Sequence, residues 1–198
     1  MKHHDVEERL IARTISVIAQ EGLERTTTKA IVKGTDINEA YIYRFFEDKD
    51  DLLRKTFVAL DKELVLVSMS SLSTLTESER SVQEKARTLF RIIWRFMLDK
   101  SERCLAYVRL FYSPYFKKYL IEEHTKRYQP LVDVVQTQFL SESNVWMILN
   151  HILNVMLDFA VKVFNGEVPD DNDTEEHVFR LVFRSVEQYF KKEEESLS

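Results

Sequence analysis

Residues 25–49 read RTTTKAIVKGTDINEAYIYRFFEDK. Thr26, Thr27 and Thr28 supply N-cap chemistry ahead of Ala30, Ile31 and Val32, because a hydroxyl at that position accepts from an otherwise unpaired backbone N–H. The run breaks at Gly34, Thr35 and Asp36, and Asn38 is a good cap for a further short segment. There Ile42 and Phe46, four apart, face inward while Glu39, Tyr41 and Tyr43 face out. The stretch is two short helices joined by a tight turn, a pair whose second member projects outward.

On the N-terminal side, Leu10, Ile11, Ile15, Ile18 and Ala19 recur at helical spacing and Gly22 follows as a C-cap, which predicts helix one. On the C-terminal side, Asp48 caps a longer helix carrying Leu52, Leu53, Phe57, Leu60 and Leu64. After a Ser- and Thr-rich stretch from Ser68 to Ser81, a fifth helix places Val82, Ala86, Leu89, Phe90, Ile93, Phe96 and Met97 on one stripe. Shorter helices follow through Leu105 to Tyr112 and from Pro114. Pro130, which has no backbone donor, must start or kink a helix before Leu131, Val134, Val135 and Leu140 resume the pattern.

Only 3 glycines and 3 prolines occur in 198 residues. So few turn-formers predict an almost wholly helical chain, and phosphate-cradling or dinucleotide loops, which need clustered glycines, are excluded. The polar start lacks the apolar centre of a signal peptide, and no stretch approaches 18 uncharged apolar residues, so a cytoplasmic protein without membrane spans is expected. The single cysteine, Cys104, sits in a helical pattern with Leu105 and Val108 and reads as a buried thiol in preference to a redox sensor. A net charge of −5 argues against a general nucleic-acid binder but leaves room for a small basic face.

The last two segments carry more apolar surface than one neighbour covers. From Val145 to Phe164 two apolar stripes leave only a polar seam of His151, Asn154, Asp158 and Lys162. The final helix shows Val178, Phe179, Val182, Phe183, Val186, Tyr189 and Phe190. A second copy of the chain, joined through these two helices as a four-helix bundle, covers them economically; an internal hairpin in a monomer is the weaker reading. The closing run Lys191 to Glu195 reads as a solvated tail.

With helix one before it and the leucine pair after it, the opening stretch resembles the tetracycline-repressor (TetR) family of transcriptional regulators. The residues that carry the likeness are Thr26 and Thr27, Ile31 and Val32, Ile37 and Asn38, Ile42 and Tyr43, Phe46, Lys49, and Leu52 with Leu53. It covers roughly the first 55 residues. The resemblance implies an all-α fold of about nine helices: a three-helix helix-turn-helix DNA-binding domain over residues 1–48, then a larger ligand-binding and dimerisation domain over 49–198. It implies a homodimer on a palindromic double-stranded operator, repression relieved by a small-molecule effector, and no catalytic activity. Where the family has glycine, Asp36 stands, a residue that tolerates the left-handed region. Phe45 replaces a common histidine, a loss for which Arg44 compensates.

Thr27 and Thr28 offer hydroxyls beside free backbone N–H groups, a phosphate contact as well as a cap. Tyr43 presents its hydroxyl to a phosphate and Lys49 adds a charge. Asn38, Glu39, Ala40 and Tyr41 stand where base edges are read: Ala40 or Tyr41 against a thymine methyl, Glu39 accepting from cytosine. Five basic and four acidic residues over 25–49 leave a net of only +1. Binding is therefore expected to be modest and salt-sensitive, with Lys2, His3 and Arg9 helping from an N-terminal arm.

For the effector, the aromatic and Met residues of the middle helices are the candidates: Phe90, Trp94, Met97, Tyr107, Phe111, Tyr112, Trp146 and Met147, with His151 from the polar seam. The five histidines show no metal-ligand spacing, and neither metal nor cofactor is expected. A helical adaptor that kept the fold but acts through protein contacts is the competing reading, suggested by the thin local charge and by Glu39.

Overall fold

The helical punctuation of the sequence is realised in a computed structural model, which describes residues 3–72 and 80–191. Ten α-helices are present among them: α1 (His3–Glu21), α2 (Thr28–Val32), α3 (Ile42–Phe45), α4 (Lys49–Ser70), α5 (Val82–Asp99), α6 (Ser101–Phe111), α7 (Pro114–Tyr119), α8 (Ile121–Val135), α9 (Val145–Phe164) and α10 (Asn172–Val186). The chain divides into two compact units, Met1–Glu63 with Lys100–Thr125, and Leu64–Asp99 with Lys126–Ser198.

In the first unit the apolar stripe of α1 meets α2, α3 and the start of α4. Val6, Leu10, Ile31, Ile37, Ile42, Phe46 and Leu52 form one buried cluster. Each fully buried aliphatic side chain contributes about 1.5–3 kcal/mol, which is how helices of four and five residues, too short to persist alone, are held. The opposite side of α1 packs on α6, where Ser16 Oγ and Gln20 Nε2 each donate to the Glu102 carboxylate at 2.9 Å. The Arg109 guanidinium donates to the Ile18 carbonyl near the end of α1. Cys104 is buried on α6, and that burial pushes its thiol up to about 12, so it stays protonated and unreactive.

Deeper in this unit, Asp61 is fully buried and its Oδ1 lies 3.0 Å from His124 Nδ1, with the Tyr107 hydroxyl donating to the same oxygen at 3.4 Å. Rings of Phe57, Phe111 and Phe116 surround the imidazole with centroids 6.1, 5.4 and 5.4 Å away. A buried carboxylate is tolerated only with such partners.

The second unit sets α10 against α5 and α9. Arg91 Nε and Arg95 Nε donate to the two oxygens of Glu175 at 2.7 and 2.8 Å, and Arg95 also reaches Asp170 at 3.0 Å. Glu175 is buried, so this fork fixes the start of α10 on α5. α8 continues through Pro130, which lies inside the helix and does not begin one. The loop after α8 returns to the end of the described chain: Leu140 N–H donates to the Tyr189 carbonyl at 2.9 Å and Lys191 N–H to the Gln138 carbonyl at 3.1 Å. This clamp stacks Phe139 on Phe190 at 4.5 Å.

α9 is long and apolar enough, by length and composition, to cross a membrane, although it carries Asp158 and Lys162. Only 22% of its most apolar stretch is buried. The monomer therefore does not internalise this helix. Of the expected Lys191–Glu195 tail, only Lys191 lies within the described residues, and most of the expected Ser/Thr-rich break at 68–81 falls outside them or is helical through Ser70.

Candidate nucleic-acid interface

The projecting segment begins with two caps. Thr27 Oγ1 accepts the Ala30 N–H at 3.1 Å and starts α2; Asn38 Oδ1 accepts the Tyr41 N–H at 3.2 Å and starts a 3₁₀ turn, Glu39–Tyr41, that runs into α3. The expected second helix is thus one turn of each kind. Between the caps, Gly34 takes φ +75°, and a side chain there would be strained although nothing lies within 4 Å of its place. Asp36 is not left-handed: among the described residues no non-glycine has positive φ, so the family's glycine position needs no glycine here.

Asp36 instead bonds the Arg9 guanidinium, which holds its carboxyl below the usual range. Arg9 lies within α1, which begins at His3, so it braces the turn and does not extend from an N-terminal arm. Lys2 lies outside the described residues. Arg13 donates to the Ile31 and Lys33 carbonyls at 3.4 and 3.3 Å, closing the end of α2. Three sides of the turn are thereby tied to α1.

On that base the two faces of the projecting segment separate cleanly. Ile42 and Phe46 are sealed in the core at 0% and 2% exposure, while Tyr43 is 58% exposed and Tyr41 38%. Asn38, Glu39, Ala40 and Arg44 are exposed beside them. The Arg44 guanidinium lies 4.8 Å from the Tyr41 ring centroid, stacking a cation on an aromatic that faces solvent. Thr27 is exposed and Lys49, first residue of α4, half-buried. α4 opens with a reciprocal cap: Asp48 Oδ1 accepts the Asp51 N–H at 2.8 Å and Asp51 Oδ2 accepts the Glu47 N–H at 3.2 Å.

Two residues behave differently from their sequence reading. The Thr28 hydroxyl donates to Glu39 Oε1, so these side chains tie α2 to the 3₁₀ turn. Phe45, in the histidine position, has its carbonyl capped by Lys55 Nζ at 3.0 Å. Neither link is visible from spacing, because both depend on how the turn folds back.

The effector candidates are dispersed. An apolar cavity of about 150 Å³ opens in the second unit, walled by Phe90, Leu149, Ile152, Met156, Phe179 and Phe183 among others. Of the nine residues expected as effector contacts, Phe90 lines it. Trp94 and Met97 are buried core residues, with Trp94 stacked on Phe90 at 5.8 Å. Tyr107 and Phe111 belong to the first unit, where they pack around His124 and Asp61; Tyr112 is 59% exposed. Met147 is 66% exposed and His151 faces solvent, its Nε2 2.9 Å from Ser185 Oγ. Trp146 packs on the second-unit core. The wall residues missed by the sequence reading are chiefly Phe179, Phe183 and Phe190, whose apolar surplus was assigned to a partner and here faces the cavity.

Residues 10–56 match the family model of bacterial regulatory proteins, tetR family. No curated protein sequence matches the chain. Among solved structures, a TetR family transcription regulator from Marinobacter aquaeolei VT8 is similar with a TM-score of 0.75 at 17% identity, covering 93% of this chain and 97% of that one. The fatty acid degradation regulator FadR from Bacillus halodurans superposes at 0.64 and 16% identity, covering 92% and 96%. The multidrug binding protein EbrR, complexed with imidazole, does so at 0.63 and 14%, covering 90% and 93%. At these identities the likeness is one of fold, and it extends over nearly the whole chain. The likeness to tetR-family regulatory proteins in sequence is carried by residues 10–56, the projecting segment with its flanking helices, and the rest of the chain shares the fold of TetR family regulators.

Proposed function

We propose that the protein is a homodimeric repressor that reads a palindromic operator through residues 38–44 and leaves it when a small molecule enters the second-unit cavity. In this reading residues 1–48 act as the DNA-reading head and residues 49–198 supply ligand binding and dimerisation. The observation that carries it is the two-faced segment: Ile42 and Phe46 lock it to the head while Tyr41, Tyr43 and Arg44 stand in solvent. Thr27, Tyr43 and Lys49 take phosphates; Asn38, Ala40 and Tyr41 approach base edges. Thr28 and Glu39, bonded to each other, hold the segment's angle, and Glu39 keeps a second oxygen for a cytosine amine.

The incompletely buried α9, with Leu181 of α10 at 55% exposure, supports pairing of two copies through α9 and α10. A partner helix also accounts for the apolar surface of α9 without a membrane, consistent with a cytoplasmic protein. EbrR, a multidrug binder of this fold, supports a ligand role for the helical body. No catalytic role is assigned to any side chain. A mobility shift on duplexes enriched from a random pool tests the reading: binding by wild type and its loss in Tyr43→Ala/Lys49→Ala are expected, and an intact complex after both changes would instead favour the adaptor.

A further inference from the structure

The walls of the second-unit cavity select a chemistry. Resting on the ligand-binding role proposed above, we infer that it takes a small apolar monoanion, a body of benzene or short-alkyl size bearing one carboxylate whose head meets Lys85. The cavity measures about 150 Å³. A space of that size with a mostly apolar wall admits a benzene-sized body, so the body holds about six carbons.

The polar members of the wall are Ser68, Ser71, Lys85 and Gln138. The Ser68 and Ser71 hydroxyls donate to the Leu64 and Ser68 carbonyls at 2.9 and 2.8 Å, so their protons are committed to the backbone. Gln138 Nε2 donates to Thr137 Oγ1 at 3.2 Å. Among the described lining residues Lys85 supplies the charge and none is acidic. An ammonium ligand would meet a like charge with no acidic side chain among the described lining residues to offset it, and a neutral ligand would gain only the apolar contact. A carboxylate gains both the contact and a charge-assisted hydrogen bond. Lys85 is half-buried on α5, four residues before Leu89 and five before Phe90, which places its flexible stem along the apolar wall.

Isothermal titration of the full chain with sodium hexanoate, hexan-1-ol and hexylammonium chloride tests this without DNA, so it can fail independently of operator binding. Hexanoate is expected to bind about tenfold more tightly than hexanol, with hexylammonium weakest. In Lys85→Met the hexanoate preference should vanish while hexanol affinity stays. Ala86→Phe, which fills the cavity from the neighbouring position, should abolish binding of all three. Equal affinities for the three probes, or a preference surviving Lys85→Met, would overturn the charge selection. Binding untouched by Ala86→Phe would overturn the site, as would absence of binding by all three and by benzene in a wild-type sample that still shifts DNA.

Discussion

Replacing Lys49 by Gln separates a phosphate contact from a structural lysine. Lys49 opens α4, where its ammonium adds to the positive end of the helix dipole. Each phosphate neutralised on duplex DNA contributes about 0.9 to the slope of log K against log salt. A dimer loses two such contacts, so the slope should become shallower by about 2. At about 0.15 M salt the lost counterion release corresponds to about 1.5 log units, or roughly thirtyfold weaker binding. The assay is fluorescence anisotropy on an enriched duplex over a range of salt concentrations. Tyr43→Phe is the internal control: it removes a neutral hydroxyl, so affinity falls by about 1.5–3 kcal/mol per charged partner lost while the slope holds. An unchanged slope in Lys49→Gln, or wild-type affinity in Tyr43→Phe, would refute the placement of these two side chains against phosphates.

Four further outcomes follow from the same geometry. Ile42→Ala, at a fully buried position, should cost about 2–5 kcal/mol in denaturant unfolding, whereas Tyr43→Ala next to it should stay within about 0.5 kcal/mol. Burial pushes the Asp51 carboxyl up, but the Arg54 guanidinium, the Glu47 N–H and Lys55 outweigh it and hold it below its usual range. Its contribution is therefore present above the unfolded-state value of about 3.9 and lost as pH falls through the lower folded value, and Asp51→Asn should flatten the acid limb of stability against pH. Glu175→Gln loosens the Arg91 and Arg95 fork and should cost about 1–3 kcal/mol by thermal or denaturant melting. Leu181→Glu, placing a charge on the exposed face of α10, should convert the proposed dimer to monomer in sedimentation equilibrium; an undisturbed dimer would move the interface elsewhere.

The residues that make the head were readable because its chemistry is local. Caps at Thr27 and Asn38, a glycine at the turn and the Ile42/Phe46 spacing act within four residues, and each appears where the sequence places it. The positive φ falls on Gly34, which has no Cβ to clash, while Asp36 bonds Arg9, a contact 27 residues away in sequence. Thr28 with Glu39 and Lys55 with the Phe45 carbonyl escaped notice for the same reason. Each joins elements across the turn.

In the helical body, amphipathic stripes declare that a helix has apolar faces but not what lies against each face. Trp94, Met97 and Tyr107 carry the composition of ligand contacts and are buried as core, whereas Phe179 and Phe183 carry that of partner contacts and line the cavity. The buried Asp61–His124 pair carried no periodic signature, since its members are 63 residues apart. Sequence alone determined which segments become helices and which short segment projects, because caps, turns and 3.6-residue spacing are written in neighbouring residues. Tertiary structure alone decided which apolar faces meet and where they leave a gap, because that depends on side chains brought together from distant parts of the chain.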